Sequence, residues 1–510
     1  MMVTKVKSAD LSGIYAYPVD VEVDLSGGLP SFNIVGLPDA SVRESRDRIR
    51  SAIKNSRFDF PKSRITVNLA PADLKKESSR LDIAIALGMV IEQGKIKPVF
   101  PFDRCLFIGE LSLDGSVRGV SGVLSTALYC KENSLKLFIP SENFCEANSV
   151  KGIEIYPYSS LLDLIAILTG EKENSNFVEE CTDQEAKQDY EVLLEDIKGH
   201  IQPKRALIIA CAGGHNMLMY GPPGSGKTML AKAIPSILPE MNNRERIETT
   251  MIYSAGGRLR EKGLIKIRPF RSPHHTISHV GLVGGGAKLL PGEVSYAHNG
   301  VLFLDEFPEF SRKTLEVLRQ PMEDGVVTIT RATGSVQFPA KFMLVAAMNP
   351  CPCGYYGSKE RECICTPSKI LNYRSRISGP ILDRIDLIVN VPQIPLEKMR
   401  EANLDNLTSK KAREMVSKAM EIQFKRNNCL NAYLNSKKIK QLCKLESDAE
   451  DLLLSAGKQN SFSSRTYTRV LKLARTIADL EGNEKIKVFH IAEALQFKLS
   501  DFLSENISYD

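Results

Sequence analysis

A glycine-rich segment that ends in Lys-Thr carries the clearest chemistry in the sequence. It fills every fixed position of the phosphate-binding pattern G-x-x-x-x-G-K-[ST]; the loop and the residue after it are Gly221, Pro222, Pro223, Gly224, Ser225, Gly226, Lys227, Thr228 and Met229. Glycines allow backbone N–H groups to surround phosphate oxygens, while Lys227 would neutralise charge on the β- and γ-phosphates. The Thr228 hydroxyl would take a Mg²⁺ coordination position. The pattern therefore predicts a site for ATP with Mg²⁺.

Two acidic residues follow a downstream apolar run, and a hydrolytic site needs residues of this type. The run covers 300–304, and Asp305 and Glu306 come directly after it. We expect Asp305 to orient the Mg²⁺ shell and Glu306 to polarise the attacking water. A second apolar run, 342–348, delivers Asn349 to the same sheet edge, where its amide could hold that water as a sensor-1 asparagine does. An ordinary strand with an acidic end is the weaker alternative once a phosphate-binding loop precedes it.

A cluster of thiols suggests a metal. Four of the 11 cysteines form two C-x-C pairs, namely Cys351, Cys353, Cys363 and Cys365. Four thiolates are enough for a closed tetrahedral Zn²⁺ site that would clamp the loop between the pairs, although an intraloop disulfide or four free thiols are alternatives. His274 and His275 also have ligand chemistry, but no acidic residue stands at a matching spacing, so we predict that they pack or form hydrogen bonds.

Regular elements must position these residues. The apolar run 216–220 before the loop predicts a buried strand, and 229–234 after it predicts a helix whose N-terminal end faces the phosphates. The segment 281–288 is too rich in glycine for a packed element, whereas 326–331 and 335–339 predict a β-hairpin. The central part of the chain is therefore predicted to be an α/β domain with inserts.

The flanking regions have different patterns. Residues 1–170 combine alternating strands with a helix over 40–55 and predict an α+β domain, and the polar segment 171–190 predicts a linker. The ATPase core is expected over 191–394, and 395–510 has the periodicity of a helical lid.

Length and composition agree with this division. A chain of 510 residues, 43% hydrophobic, can bury several cores, and its net charge of +6 requires any DNA-binding surface to be a local patch. No apolar stretch approaches the roughly 20 residues of a membrane span, and the N-terminus lacks a signal-peptide core. We therefore expect a cytoplasmic protein without a membrane partner.

Several long motifs resemble one family, the YifB/ComM family of magnesium-chelatase-like AAA+ ATPases of bacteria. Besides the two nucleotide motifs, the similar segments are 270–275, 284–286, 291–298, 349–354 and 378–386. The resemblance covers roughly residues 1–170 and 190–500 and implies an N-terminal domain of Lon-protease-like fold. It also implies a homohexameric helicase that drives branch migration of DNA during natural transformation.

The same resemblance assigns expectations to further residues. Arg384 matches the arginine finger of the related MCM motors, with Arg374 and Arg376 as rivals, and Arg465 matches the sensor-2 arginine of the lid. A Lon-type protease needs a serine and a lysine base, but Leu124 stands at the lysine position, so Ser78 or Ser79 would have no activator. The N-terminal domain is therefore expected to be an inactive protease that serves binding or assembly.

The sequence leaves two hypotheses about the substrate. The inserts resemble the pore loops of MCM-like motors, where Lys288, Arg331 and Lys341 could follow a branched or single-stranded DNA backbone, although solvated basic turns are an equal alternative. A protein remodeller similar to the magnesium-chelatase motor subunit, with a protein client, is the second hypothesis. No arginine-rich or aromatic-interleaved element independently indicates nucleic-acid binding.

Overall fold

The computed structural model describes residues 3–72, 76, 79–172, 190–260, 263–286, 289–331, 334–358, 361–394, 407–459 and 462–497. The strands, numbered in chain order, are β1 (Thr4–Ser12), β2 (Tyr15–Ser26), β3 (Ser31–Val35), β4 (Arg64–Ala70), β5 (Cys105–Phe107), β6 (Glu110–Leu111), β7 (Val117–Arg118), β8 (Lys136–Pro140), β9 (Ile155–Tyr158), β10 (Met217–Tyr220), β11 (Phe270–Arg271), β12 (Gly284–Gly285), β13 (Leu290–Pro291), β14 (Val301–Leu304), β15 (Val326–Arg331), β16 (Gly334–Pro339), β17 (Met343–Met348) and β18 (Leu387–Asn390).

The α-helices fall into three groups along the described chain. The N-terminal group is Ala40–Asn55, Asp82–Glu92, Val123–Glu132, Phe144–Asn148 and Leu161–Thr169. The central group is Ile201–Gly213, Lys227–Ile237, Asn243–Ala255, His279–Val283, Glu293–Tyr296, Arg312–Glu316, Arg319–Asp324, Pro367–Arg374 and Gly379–Leu382. The C-terminal group is Ser409–Asn427, Ser436–Leu442, Ser447–Gln459, Ser464–Leu480 and Val488–Gln496.

The N-terminal region is built on a seven-stranded mixed sheet in the order β3-β4-β2-β1-β5-β8-β9. β1, β2 and β4 are antiparallel neighbours, whereas β5, β8 and β9 continue the sheet in parallel. Val19, Val21 and Val23 of β2 are buried because alternate side chains of a strand point to the same face. The helix Asp82–Glu92 covers this face. The predicted α+β architecture is confirmed.

The central region contains a five-stranded parallel sheet in the order β11-β14-β17-β10-β18. All residues of β14 and β17 are buried, which explains their uninterrupted apolar sequences. Tyr220 at the end of β10 pairs with Met348 at the end of β17, and Leu304 at the end of β14 pairs with Ala346. The carboxyl ends of these three strands therefore share one edge, as predicted.

The inserts of the central region are more ordered than the sequence indicates. β15 and β16 form the predicted hairpin. The prediction that 281–288 forms no packed element is wrong for its described part, because it completes the helix His279–Val283 and then pairs as β12 with β13. Leu282 is fully buried and anchors this segment in the core. A Cβ on Gly284 would lie 2.6 Å from the Leu290 carbonyl oxygen, so glycine here allows close backbone pairing.

The C-terminal helices pack on the central region. Helices Ser409–Asn427 and Ser464–Leu480 contact the helix Ile201–Gly213, and their buried residues join its core. The regular elements in the described part of the predicted lid are therefore helices, joined by short connections. Most of the predicted linker, and residues 395–406 at the start of the lid, lie outside the described residues. In the part of the chain that is described, no helix is both long and apolar enough to cross a bilayer.

The N-terminal region docks on the central helix Asn243–Ala255. Ser254 Oγ donates a hydrogen bond to Glu146 Oε1 at 2.5 Å and accepts one from the Gly122 amide at 2.8 Å. Around these bonds, apolar side chains of both regions form one buried cluster that includes Leu124, Ile139, Met251 and Phe338. Because Phe338 belongs to β16, the N-terminal region also packs against the hairpin.

Candidate nucleotide and metal sites

The phosphate-binding loop connects β10 to the helix Lys227–Ile237 at the carboxyl edge of the sheet. Gly224 and Gly226 have φ angles of 74° and 86°, a left-handed conformation that glycine adopts without steric cost. A Cβ on Gly221 would lie 2.1 Å from the Val391 carbonyl oxygen, so this position also requires glycine. The loop ends at a helix N-terminus, where the helix dipole favours an anion.

The Lys227 ammonium lies folded against the loop. Its Nζ donates to the carbonyl oxygens of Gly221 and Pro222, both at 2.8 Å, and to Asn349 Oδ1 at 3.3 Å. Burial lowers the pKa of Lys227 to about 8, although the negative charge of Asp305 opposes this effect. A phosphate beside the ammonium would favour its charged form.

The two nucleotide motifs meet through one hydrogen bond. Thr228 Oγ1 donates to Asp305 Oδ2 at 2.9 Å. A hydroxyl and a carboxylate in this position are hard oxygen ligands of the kind that Mg²⁺ prefers. The structure thus brings the loop residues Lys227 and Thr228 together with Asp305 and Asn349, which stand 77 and 122 residues further along the sequence than Thr228 and Lys227, respectively.

Glu306 lies next to these residues and is held by a histidine. Its backbone has φ of 50°, a left-handed conformation that costs a non-glycine residue about 1 kcal/mol. Its Oε2 lies 3.0 Å from His275 Nδ1, and the His274 ring packs against that of His275 at a centroid distance of 4.1 Å, with the ring planes tilted by 34°. His275 thus contacts an acid that sequence spacing does not reveal, whereas the hydrogen bond of the histidine pair joins His274 Nδ1 to Thr276 Oγ1 at 2.9 Å.

The sequence analysis did not identify His200, a second histidine that lies near the phosphate-binding loop. His200 precedes the helix Ile201–Gly213 with a left-handed φ of 55°. A Cβ on Gly226 would lie 3.6 Å from His200 Nε2, so the imidazole borders the phosphate-binding loop. Burial lowers the pKa of His200, which favours the neutral ring. A Gly-His pair before an apolar helix is the local signal that could have identified it.

The three candidate finger arginines have different surroundings. Arg384 forms an ion pair with Glu323, and its side chain is only 11% exposed. Arg374 is buried and donates to a backbone carbonyl. Arg376 pairs with Glu309 at 2.7 Å but remains 54% exposed. Within a single chain, Arg376 is therefore the most accessible of the three, whereas Arg384 is paired with Glu323.

The predicted sensor-2 arginine lies beside the segment that carries Arg384. Arg465 Nη1 is 3.2 Å from Asp383 Oδ2, and Arg469 Nη1 donates to the Ile385 carbonyl oxygen at 2.6 Å. The lid helix Ser464–Leu480 is thereby connected to residues 382–386. The structure places Arg465 and Arg384 in neighbouring positions.

The four clustered cysteines converge. Their Sγ atoms all lie within 4.8 Å of one another, and the closest pairs are Cys351 with Cys353 at 3.3 Å and Cys351 with Cys363 at 3.6 Å. In the described structure these four cysteines are free thiols rather than disulfide-bonded pairs. Four soft thiolates in one group match the ligand set of a structural Zn²⁺ site.

The three predicted DNA contacts fall in different places. Lys288 lies outside the described residues. Arg331 ends β15 at the tip of the hairpin, where it pairs with Gly334. Lys341 follows β16 at the base of the same hairpin, and its Nζ lies 4.6 Å from the centre of the Tyr433 ring in the lid. The structure therefore does not bring Arg331 and Lys341 together.

The positions that resemble the serine and lysine of a Lon-type protease have other contacts in the described part of the N-terminal region. Leu124, at the position expected for a lysine base, is buried in the cluster between the two regions. Ser79 donates its hydroxyl hydrogen to the Glu110 carboxylate, and Ser78 lies outside the described residues. A serine bonded in this way is not activated as a nucleophile by a lysine.

Comparison with protein families shows three consecutive matches. The model described as subunit ChlI of Mg-chelatase matches residues 21–143, and the model described as magnesium chelatase, subunit ChlI, matches 193–399. The model of the ChlI C-terminal region matches 406–498.

Individual relatives cover almost the whole chain. The chain is 44% identical over 501 residues to the competence protein ComM of Haemophilus influenzae, with 97% of each chain covered. It is 41% identical to the uncharacterized protein YifB of Escherichia coli, with 96% of each covered. A more distant match, 24% identical over 70% of this chain and 41% of the relative, is the DNA replication licensing factor MCM3 of rice.

Proposed function

Since the chain belongs to the YifB/ComM family of magnesium-chelatase-like AAA+ ATPases, we propose that it is an ATP-driven motor that moves branch points in DNA. The observation that carries the ATPase part is the contact of Thr228 with Asp305 beside Lys227 and Glu306. The proposed units are an N-terminal module over 1–170, a linker over 171–190, an ATPase core over 191–394 and a lid over 395–510.

Each side chain of the site has a role in this proposal. Lys227 and the loop backbone hold the β- and γ-phosphates, and Thr228 and Asp305 hold Mg²⁺. Bound ATP would supply the phosphoryl group, and Mg²⁺ would neutralise part of the negative charge on the phosphate oxygens. Glu306 accepts a proton from the attacking water at its carboxylate, and Asn349 orients that water. Glu306 can act in this way only when its carboxylate is directed to the water rather than to an imidazole.

DNA is the proposed substrate because of the hairpin and the relatives. Arg331 is the last residue of β15, next to the exposed residues Thr330 and Gly334, and a cation at this end of the hairpin could contact a phosphate backbone. The printed names of ComM and MCM3 concern competence and DNA replication. These names support a function associated with DNA, and we propose branched or single-stranded DNA as the track and the cytoplasm as the location.

A homohexameric ring is the proposed assembly. In such a ring, one subunit supplies the phosphate-binding loop and its neighbour supplies a guanidinium that stabilises the transition state. Arg384 is our candidate for this finger, and Arg465 beside it is the candidate sensor of the bound nucleotide. Because Arg384 is paired with Glu323 within the chain, assembly would have to exchange this partner for phosphate.

The cysteine cluster is proposed as a structural Zn²⁺ site. Zn²⁺ held by the thiolates of Cys351, Cys353, Cys363 and Cys365 would have no open position, so it would crosslink the loop rather than take part in hydrolysis. About one zinc per chain is expected in protein that has not met a chelator, and serine at these four positions should abolish it. Metal analysis that finds essentially no zinc would contradict this site.

The decisive experiment is ATP hydrolysis with and without DNA. At moderate salt, forked or four-way-junction DNA should raise the rate, and Glu306→Gln should abolish the rate under both conditions. Arg331→Ala should reduce the ratio of the two rates more than Lys341→Ala does, because Lys341 already packs on Tyr433. A rate that DNA leaves unchanged would contradict the DNA motor.

The second candidate is a protein remodeller, which the match to magnesium chelatase subunit ChlI favours. In this case a protein client, docked through the N-terminal region, would stimulate hydrolysis and DNA would not. The same assay therefore separates the two functions.

A further inference from the structure

The loop that carries the four cysteines touches the phosphate-binding loop directly. Gly354, the residue after Cys353, has a left-handed φ of 87°. A Cβ built on Gly354 would lie 2.6 Å from Pro223 Cδ and 2.7 Å from Pro223 Cγ. The backbone of Gly354 therefore packs closely against the ring of Pro223, the third residue of the phosphate-binding loop.

The same loop is continuous with the asparagine that contacts Lys227. Asn349 lies two residues before Cys351, and its Oδ1 accepts a hydrogen bond from Lys227 Nζ at 3.3 Å. The Gly354 amide donates to the Cys351 carbonyl oxygen at 3.0 Å, which folds this segment into a tight turn. The position of Cys351 thus fixes two groups of the nucleotide site at once, the Asn349 amide and the Gly354 contact.

The far side of the turn is also supported. Arg374 is buried, and its Nε donates to the Pro350 carbonyl oxygen at 3.2 Å. Its guanidinium lies 5.3 Å from the centre of the Tyr356 ring, and the Tyr356 amide donates to Cys351 Sγ at 3.3 Å. The thiol cluster, the turn and the phosphate-binding loop are therefore packed as one unit.

We propose that metal binding by the four thiols controls the affinity of the nucleotide site. With Zn²⁺ bound, Cys351 is held in place, so that Gly354 supports Pro223 and Asn349 stays within reach of Lys227. Without the ion, the loop loses its crosslink and both supports relax. This inference rests on the proposed ATP and zinc sites and adds a regulatory link between them.

Two glycines in the same loop give a matched pair of variants. Gly354 and Gly357 have similar left-handed φ angles of 87° and 75°, so alanine imposes a similar backbone penalty at either position. A Cβ on Gly354 would collide with Pro223, whereas a Cβ on Gly357 would meet nothing within 4 Å. The difference between the two variants therefore reports the contact with the phosphate-binding loop.

The test measures zinc content and the Kd of a fluorescent ATP analogue, with Mg²⁺ present and DNA absent. Both variants should keep their zinc. Gly354→Ala should weaken binding about tenfold or more, since small displacements of positioning groups have large effects. Gly357→Ala should stay within about twofold of wild type, as substitutions away from special contacts do.

Removal of the metal tests the same inference without a substitution. A zinc-selective chelator that leaves Mg²⁺ in solution should weaken nucleotide binding by the wild type about as much as Gly354→Ala does, and should add little to that variant. Equal affinities of Gly354→Ala and Gly357→Ala, or metal-free wild type that binds as tightly as the zinc form, would overturn the inference. Wild type that does not bind the analogue at all would instead refute the proposed ATPase.

Discussion

Alkaline pH should weaken ATP binding because it discharges Lys227 before the nucleotide arrives. Burial lowers the pKa of the free Lys227 ammonium to about 8, with Asp305 opposing the shift. Bound phosphates interact far better with the charged ammonium, so binding and protonation are linked. If the charged form alone binds, the apparent Kd rises about twofold at pH 8 and about tenfold at pH 9, relative to neutral pH.

The assay is a titration with a fluorescent ATP analogue between pH 7 and pH 9.5, at constant ionic strength and saturating Mg²⁺. Lys227→Arg is the matched control, because a guanidinium keeps its charge over this range. It should bind more weakly at neutral pH, since its fork does not fit the same carbonyls, but its Kd should be nearly independent of pH. A wild-type Kd that stays constant to pH 9.5 would refute the reasoning, and an equal slope in both proteins would assign the titration to another group.

Other substitutions separate the roles of the remaining side chains. Lys227→Ala should abolish turnover by removing charge complementarity to the phosphates, whereas Glu306→Gln should bind ATP without hydrolysing it; turnover of Glu306→Gln equal to wild type would exclude Glu306 as the base. Mixing Arg384→Ala with Lys227→Ala chains should restore ATPase activity that neither shows alone, and mixed rings no more active than the sum of their parts would move the finger role to Arg376. His275→Ala should raise basal hydrolysis severalfold at unchanged ATP affinity, because it frees the Glu306 carboxylate; an altered Kd with an unchanged rate would contradict this.

The sequence predicted the elements whose patterns are local. β10, β14 and β17 are continuous apolar runs, and the hairpin β15–β16 has alternating residues around a turn, so their bounds agree with expectation to within a residue or two. The fold class followed because these runs end in motif residues that must share one edge. Fixed spacing also made the convergence of the cysteines predictable.

The remaining features depend on contacts between distant segments. The His275–Glu306 pair exists because β11 lies beside β14 in the sheet, which no spacing rule shows. The many glycines of the segment 281–288 led to the prediction that it forms no packed element. The burial of Leu282, which depends on the tertiary fold, nevertheless anchors its described part in the core. The partner of Arg384, Glu323, is likewise supplied by the tertiary fold.

The docking of the N-terminal region supports the root of the hairpin β15–β16. The base of β16 is enclosed on two sides, by the central sheet and by the N-terminal cluster that contains Phe338. A Cβ on Gly13 would lie 2.5 Å from Val336 Cγ1, so the strand connection there leaves no slack. The two regions therefore hold the hairpin at its root, and a change in how they pack against each other would move β16 with it. Separation of the two regions would expose apolar side chains on both of them.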